Sequence, residues 1–229
     1  MPQRNRRMRN KKSLSRAERA EVKKIAERLI DEEIEDKCQT GVLENVQLFH
    51  NKVYYTGKIL GSLQQGVETG DQSTGGVGSL KVRIGDEVNL KNINIRFWLS
   101  NKLDRPNVMY KGILFWYGVG QAPNDALVYQ TQTNKMLDRY NDKQIKIIDT
   151  FIVKSSNMYL NGTEKFEHSY LATLNKSYKN KKIQYDFNGA VTKGWELGFA
   201  VVCYDAFGTL QTDNIASMAY NLQMTFQDA

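Results

Sequence analysis

The sequence predicts an all-β protein with one helix near its beginning. After Gly41, hydrophobic residues alternate with polar ones in eight short segments, which is the period of a strand with one buried face. Before Gly41, hydrophobic residues instead recur every three or four positions, which is the period of a helix. Eight strands are enough to build a two-sheet sandwich or a barrel.

Most of the net charge lies at the N-terminal end of the chain. The 229 residues carry a net charge of +7. The first sixteen contain no acid and seven cations, which are Arg4, Arg6, Arg7, Arg9, Lys11, Lys12 and Arg16. The remaining residues hold 25 cations against 25 acids, so the rest of the chain is neutral. Residues 1–14, which we call the arm, are therefore predicted to be disordered until they meet an anionic partner.

A helix is predicted over residues 15–38. Ser15 followed by Glu18 is the pattern of a capping box, in which each side chain satisfies the other's backbone N–H. Hydrophobic residues then form a narrow stripe at helical spacing, and we expect this stripe to mediate helix association: Val22, Ile25 and Leu29.

The charges of this helix oppose its dipole. Acids crowd its C-terminal end, where they are unfavourable, and cations crowd the half that follows the arm: Arg16, Arg19, Lys23, Lys24 and Arg28. We interpret the basic half as a surface that faces a polyanion. A solvated helix with accidental polarity is the alternative.

The third predicted region, residues 39–229, shows no internal repeat and no linker. Its eight predicted strands cover residues 53–60, 88–99, 108–117, 144–154, 166–174, 182–187, 195–204 and 216–227. A slip in the alternation between Leu90 and Ile93 predicts a β-bulge. Gly66–Ser79 is rich in Gly, Ser, Thr and Asp and is predicted to be a loop.

No catalytic or metal-binding pattern is found, and the protein is not predicted to be an enzyme or to need a cofactor. His50 and His168 lack any nucleophile motif. Cys38 and Cys203 are too far apart for a zinc motif; Cys203 is expected in the core, and a disulfide between them is left open. Acids in predicted loops leave open a divalent cation between subunits: Glu68, Asp71 and Asp125.

Membrane insertion and secretion are not expected. No uninterrupted apolar segment approaches the ~18 residues that a membrane span needs. The basic start of the chain has no apolar stretch behind it, as a secretory signal would.

Several short segments of the sequence form a recognisable series. The series begins at Gln65-Gly66 and continues through Arg83-Ile84-Gly85-Asp86 into an alternating strand. Further segments are spread over most of residues 15–229: 112–116, 140–149, 185–190 and the C-terminal strand that ends at 228–229. In their order and spacing these segments resemble the capsid proteins of circular, Rep-encoding single-stranded DNA viruses, and are similar to the coat protein of satellite tobacco necrosis virus.

The resemblance implies a single jelly roll, made of two four-stranded antiparallel sheets, behind the basic arm and the helix. It also implies a closed, T=1-like icosahedral shell of about sixty copies. The arm would lie inside against the genome, and the helix stripe would meet its copies at threefold axes. The protein would then be found in the virion, and in the host nucleus or cytoplasm during assembly.

These observations together predict a capsid protein that assembles with itself and packages single-stranded nucleic acid, with DNA favoured. The arm cations would bind phosphate without reading sequence, because the arm has no aromatic residue to stack on bases. The cations Arg19, Lys23, Lys24 and Arg28 would form a second tier. The alternatives are a satellite-type RNA virus coat protein and a non-viral β-sandwich whose basic tail tethers nucleic acid or directs nuclear import.

Overall fold

The computed structural model describes residues 15–33, 36–63, 65–66, 83–102, 104–105, 107–131, 133–154, 169–187, 189–206, 208 and 210–228. They divide into two units, an N-terminal helix and a β body that starts at Asp36. Within these ranges, no helix is both long enough and apolar enough to cross a membrane.

The N-terminal unit is the helix α1, Arg16–Glu33. The predicted capping box is present, since the Ser15 N–H donates to Glu18 Oε2 at 2.7 Å and the Glu18 N–H donates to Ser15 Oγ at 3.3 Å. These bonds lower the pKa of Glu18. The helix ends earlier than the predicted residue 38, because Lys37 and Cys38 already belong to a strand and pair with the last strand of the body.

The β body contains eight strands in two four-stranded antiparallel sheets. The strands are β1 Lys37–Phe49, β2 Val53–Thr56, β3 Glu87–Asn101, β4 Val108–Gly118, β5 Ile145–Val153, β6 Ser169–Gln184, β7 Trp195–Asp205 and β8 Asn214–Asp228. The first sheet has the order β1-β8-β3-β6 and the second has the order β2-β7-β4-β5. This is a jelly roll, as predicted.

The predicted strand count was right, although two strand assignments were wrong. β1 was not predicted. It is a half-exposed edge strand whose alternation is broken by a register shift between Leu43 and Val46, where Asn45 has a φ of 57°.

The segments predicted at 166–174 and 182–187 are instead joined in one strand, β6. Its middle is lysine-rich and exposed because β6 lies at the edge of its sheet and pairs only with β3. Lysines are common on such edges, where they oppose pairing with other chains. The sequence pattern therefore showed only the two buried ends of this strand.

The other local predictions can be checked against the strands. The predicted bulge is confirmed by register shifts between Leu90 and Asn92 against both neighbouring strands. The segment 53–60 is a strand only to Thr56 and then forms a short 3-10 turn at Leu60–Ser62. Most of the predicted loop Gly66–Ser79 lies outside the described residues.

Two hydrophobic clusters hold the body together. The main one fills the space between the sheets, where Phe97 meets Phe199 edge-on at 5.4 Å and Cys203 is fully buried, as predicted. The second lies on the other side of β4 and β7, beneath a loop that carries the short helix α2, Asp125–Val128. Because both faces of β4 and β7 are covered, these strands are apolar almost throughout.

Candidate nucleic-acid interface

The whole arm, residues 1–14, lies outside the described residues. This applies to six of the seven predicted phosphate-binding cations, which are Arg4, Arg6, Arg7, Arg9, Lys11 and Lys12. The seventh, Arg16, is the first residue of α1, and its side chain is exposed. Their role in binding nucleic acid therefore stays a prediction.

Helix α1 presents two separate stripes. Arg16, Arg19 and Lys23 are spaced i, i+3, i+7, which places them on one face, and all three side chains are exposed. Lys24 is exposed as well, and Arg28 belongs to the same helix, with a side chain that lies outside the described residues.

The predicted apolar stripe has the same i, i+3, i+7 spacing but lies about 120° around the helix from the cations. Val22, Ile25 and Leu29 are exposed by 53%, 54% and 54%. Three half-exposed aliphatic side chains in one row leave a face, separate from the cationic one, that another apolar surface could cover.

Strand β3 adds two exposed residues that the prediction did not include. Phe97 and Leu99 point into the core and are fully buried, so Trp98 between them points outward and is 53% exposed. Arg96 points to the same outer side and is exposed. The signal was present in the sequence, because Trp98 falls in the polar phase of an otherwise regular alternation.

The buried histidine and cysteine side chains of the described residues make contacts that hold the fold together. His50 is buried, its Nδ1 accepts the Asp205 N–H at 3.3 Å, and its ring packs 4.6 Å from Tyr204. The Cys203 thiol donates to the Phe49 carbonyl at 3.3 Å, and burial raises its pKa, which removes the thiolate needed for nucleophilic chemistry. Cys38 and Cys203 are both free thiols. His168 lies outside the described residues.

Two buried lysines fix the loop between β4 and β5. Lys111 donates to the carbonyls of Lys135 at 3.2 Å and Asp138 at 2.7 Å, and burial lowers its pKa. Lys135 Nζ lies 3.2 Å from Asp125, whose carboxylate also accepts the Tyr55 hydroxyl at 2.6 Å.

Asp125 is thus already engaged by a cation and a hydroxyl. Glu68 and Asp71, the other two loop acids considered for a divalent cation, lie outside the described residues. Across the described ranges, no group of three His, Cys, Asp or Glu side chains is placed to hold a metal ion.

A cleft of about 320 Å³ opens beside β7, between Lys58, Tyr117, Val191 and Glu196. Glu196 is 5% exposed, and both of its carboxylate oxygens are occupied. Oε1 accepts the N–H groups of Leu60 and Leu197, each at 2.9 Å, and Oε2 accepts the Thr192 hydroxyl at 3.2 Å. Burial raises the pKa of Glu196. Through these three hydrogen bonds the carboxyl joins β7 to the turn at Leu60 and to the loop that precedes β7.

Glu196 should make the stability of the body depend on pH. A carboxyl whose pKa is higher in the folded than in the unfolded state binds its proton more tightly when folded, so stability falls as the pH rises above the unfolded value near 4.5. Glu196→Gln keeps the acceptor for both N–H groups and removes the charge. We expect the thermal midpoint of the wild type to drop relative to Glu196→Gln between pH 4.5 and 7.5. Equal pH profiles for the two proteins would contradict this assignment.

The comparisons with known proteins find similarity at the level of structure but not of sequence. No protein-family model matches the sequence, and no curated protein matches it either. A chain in the crystal structure of the T13 IBDV viral particle aligns with 82% of this chain at 12% identity, with a TM-score of 0.25. The aligned region spans 31% of that chain, so this protein covers about a third of its length. A similarity of this size supports no conclusion about function.

Proposed function

We propose that this protein is a viral capsid protein that assembles into a T=1-like icosahedral shell of about sixty copies and packages single-stranded DNA through its arm. The observation that carries the proposal is that the net charge of the chain lies almost wholly outside its folded part. Residues 17–229, which form the helix and the jelly roll, carry no net charge together, and they follow a segment of sixteen residues that holds the entire net charge of +7. Jelly rolls serve several functions, including capsids and lectins, so the fold alone does not decide among them.

The surface of the β body supports self-association. Several large hydrophobic side chains are exposed on the single chain, among them Phe187 at 83%, Leu137 at 82% and Ile152 at 59%. Where such side chains lie together in a patch, they mark surfaces that contact other proteins. A shell subunit contacts several neighbours and therefore needs more than one surface of this kind.

Electron microscopy of the purified full-length protein tests the proposal directly. We expect closed particles of uniform size whose extracted contents are digested by DNase and resist RNase. A protein that stays monomeric over a range of salt, pH and concentration would overturn the proposed assembly. Contents that RNase digests would instead show a satellite-type RNA virus coat protein.

The apolar stripe of α1 gives a second test of assembly. If helices of neighbouring copies associate through Val22, Ile25 and Leu29, then Ile25→Ser removes about 2 kcal/mol of apolar burial per helix. We expect the protein concentration needed for particle formation to rise by about tenfold or more, as measured by sedimentation. Ala20→Ser, on a different face of the same helix, is the control and should leave this concentration unchanged. If the two variants need the same protein concentration to form particles, the stripe does not contribute to the assembly contacts.

A further inference from the structure

The outer side of the sheet β1-β8-β3-β6 combines an aromatic side chain with rows of neutral polar ones. We call it the β3 face; its outward residues around Trp98 are Cys38, Thr40, Val42, Glu44, Asn92, Asn94, Arg96, Trp98, Ser100, Leu171, Thr173, Asn175, Ser177, Ser217, Ala219, Asn221, Gln223 and Thr225. Among these residues the carboxylate of Glu44 is balanced by the guanidinium of Arg96, and at the far end of β3 the Glu87 carboxylate is paired with Lys182. These groups therefore give the face no net negative charge that would repel a polyanion.

Trp98 is the aromatic centre of the β3 face. It lies on an inner strand, opposite Leu171 on β6 and Ala219 on β8. Its indole N–H donates to Ser100 Oγ at 2.8 Å, which holds the ring in a defined orientation while 53% of the side chain stays exposed. Leu171 is 77% exposed beside it. An exposed ring held in this way offers a flat apolar surface to a partner.

The rows next to Trp98 supply hydrogen-bonding groups. Arg96 is in register with Thr173 and Asn221, and Asn94 is in register with Asn175 and Gln223. Some of these groups already bond one another, since Asn94 Nδ2 donates to Asn175 Oδ1 at 3.3 Å. An amide has two donor hydrogens and two acceptor lone pairs, so each such residue retains capacity for a ligand.

We propose that the β3 face binds the bases of single-stranded nucleic acid, with Trp98 stacking on a base and Arg96 contacting the adjacent phosphate. This inference rests on the proposed packaging function and adds a base-contacting site to it. Aromatic residues on an open sheet bind unpaired bases in this way, and neighbouring amides and hydroxyls contact base edges and phosphates. Stacking also tolerates any sequence, because every base has a π-face.

A protein partner fits the β3 face less well than a nucleic acid does. Covering its amide and hydroxyl rows with another subunit would bury many polar groups, and each of them would destabilise the contact if left without a partner. Bases and phosphates bring donors and acceptors of their own. The neutral polar rows therefore favour nucleic acid over a second copy of the chain.

The salt dependence of the binding affinity distinguishes the contact made by Trp98 from those made by the arm. Phosphate contacts weaken steeply as salt rises, whereas stacking on an aromatic ring does not depend on counterion release. Loss of one stacked base costs about 1–3 kcal/mol, which corresponds to a weakening of about 5- to 150-fold. The effect of Trp98 on affinity should therefore persist at salt concentrations that remove most of the contribution of the arm.

The test measures binding of full-length protein to fluorescently labelled oligothymidylate and to an abasic strand of the same length, at about 50 and 200 mM salt. We expect Trp98→Ala to weaken oligothymidylate binding by about tenfold at both salt concentrations and to leave binding of the abasic strand unchanged. Trp98→Phe should recover part of the affinity. Trp195→Ala is the matched control, since Trp195 is 39% exposed but lies on the other sheet.

The outcomes distinguish this inference from the proposed function. Because Trp98 is outside the core, Trp98→Ala should fold with an unchanged thermal midpoint. If the wild type binds oligothymidylate and Trp98→Ala binds it equally well, the β3 face is not a base-binding site, while packaging by the arm stands. If Trp98→Ala leaves affinity unchanged but prevents particle formation, the face is a subunit contact and the inference is overturned. A wild type that forms no particles and binds neither strand contradicts the proposed function itself.

Discussion

Replacing Arg83 with methionine is expected to lower the free energy of unfolding of the β body by about 3–6 kcal/mol, which is a large fraction of the roughly 5–15 kcal/mol by which an ordinary domain is stable. Arg83 is fully buried, and its guanidinium donates to three backbone carbonyls, those of Leu63, Gly85 and Gly189. It thereby joins three segments that are distant in the sequence. Methionine fills a similar volume but leaves all three carbonyls without this donor.

The surroundings of Arg83 add to the expected loss. Its guanidinium carbon lies 4.0 Å from the centre of the Tyr185 ring, and the Tyr185 hydroxyl donates to the Leu60 carbonyl at 3.1 Å. Asp86 lies at 3.7 Å and balances the charge. Arg83→Lys keeps the charge but has no planar fork of donors, so we expect an intermediate loss of stability.

Urea unfolding followed by circular dichroism measures these changes. The control is Arg139→Met, a substitution of the same kind at an exposed arginine, which should change the free energy of unfolding by less than about 0.5 kcal/mol. If Arg83→Met cannot be purified in folded form, the urea midpoint of Arg83→Lys is compared with that of the wild type and serves as the test. A wild-type midpoint for either Arg83 variant would show that these bonds do not hold the three segments together.

Arg83 also shows what the sequence could not reveal about the fold. The segment Arg83-Ile84-Gly85-Asp86 was noted only as part of a resemblance, and a lone arginine is more often exposed than buried. Its partners are carbonyl groups of Leu63 and Gly189, which no residue-type pattern identifies. Long-range side-chain to backbone bonds of this kind become visible only when the topology is known.

The fold class was predictable because it depends on a periodic signal. In β3, the alternating Ile93, Ile95, Phe97 and Leu99 are all fully buried, and the slip before Ile93 is a bulge. The same signal failed at β1 and in the middle of β6, where edge strands need no apolar residues on their exposed parts. The predicted number of strands was still eight, because β1 was missed while β6 was counted as two strands.

The candidate interface was predictable only where it depends on charge. The cations of the first sixteen residues stand out in the sequence as a run without acids, and those of α1 stand out because they crowd one half of the helix. Trp98 and Arg96 do not form such a run, and their proximity to Asn221 and Leu171 comes from pairing across three strands. A surface assembled from several strands has no local sequence pattern.

Neutralising the arm is expected to empty the particles without preventing their formation. The variant replaces Arg4, Arg6, Arg7, Arg9, Lys11 and Lys12 with glutamine and leaves the β body unchanged. Seven cations that each neutralise one phosphate of a single strand give a slope of about −5 in a plot of log affinity against log salt. Losing six of them should reduce the slope by about 4 and lower the affinity at low salt by several hundredfold or more.

The matched control keeps the composition of the arm and permutes the order of residues 2–14. Because phosphate contacts carry no sequence information, the permuted arm should retain both the salt slope and the nucleic acid content of the particles. The ratio of absorbance at 260 and 280 nm of purified particles reports that content. If the neutralised variant packages as much nucleic acid as the wild type, the arm does not have the role proposed for it.

The arm, even counted together with Arg16, has too few cations to balance a genome alone, which makes a separate contribution from the other cations of α1 measurable. About sixty copies of the seven cations supply ~420 charges, whereas a strand that encodes only this chain has about 690 phosphates. Adding Arg19, Lys23, Lys24 and Arg28 raises the supply to ~660. Replacing these four with glutamine in a wild-type arm should therefore reduce the salt slope by about 3 and shorten the packaged strand. An unchanged slope would exclude the helix from the interface and would require cations of the β body or small ions to replace it.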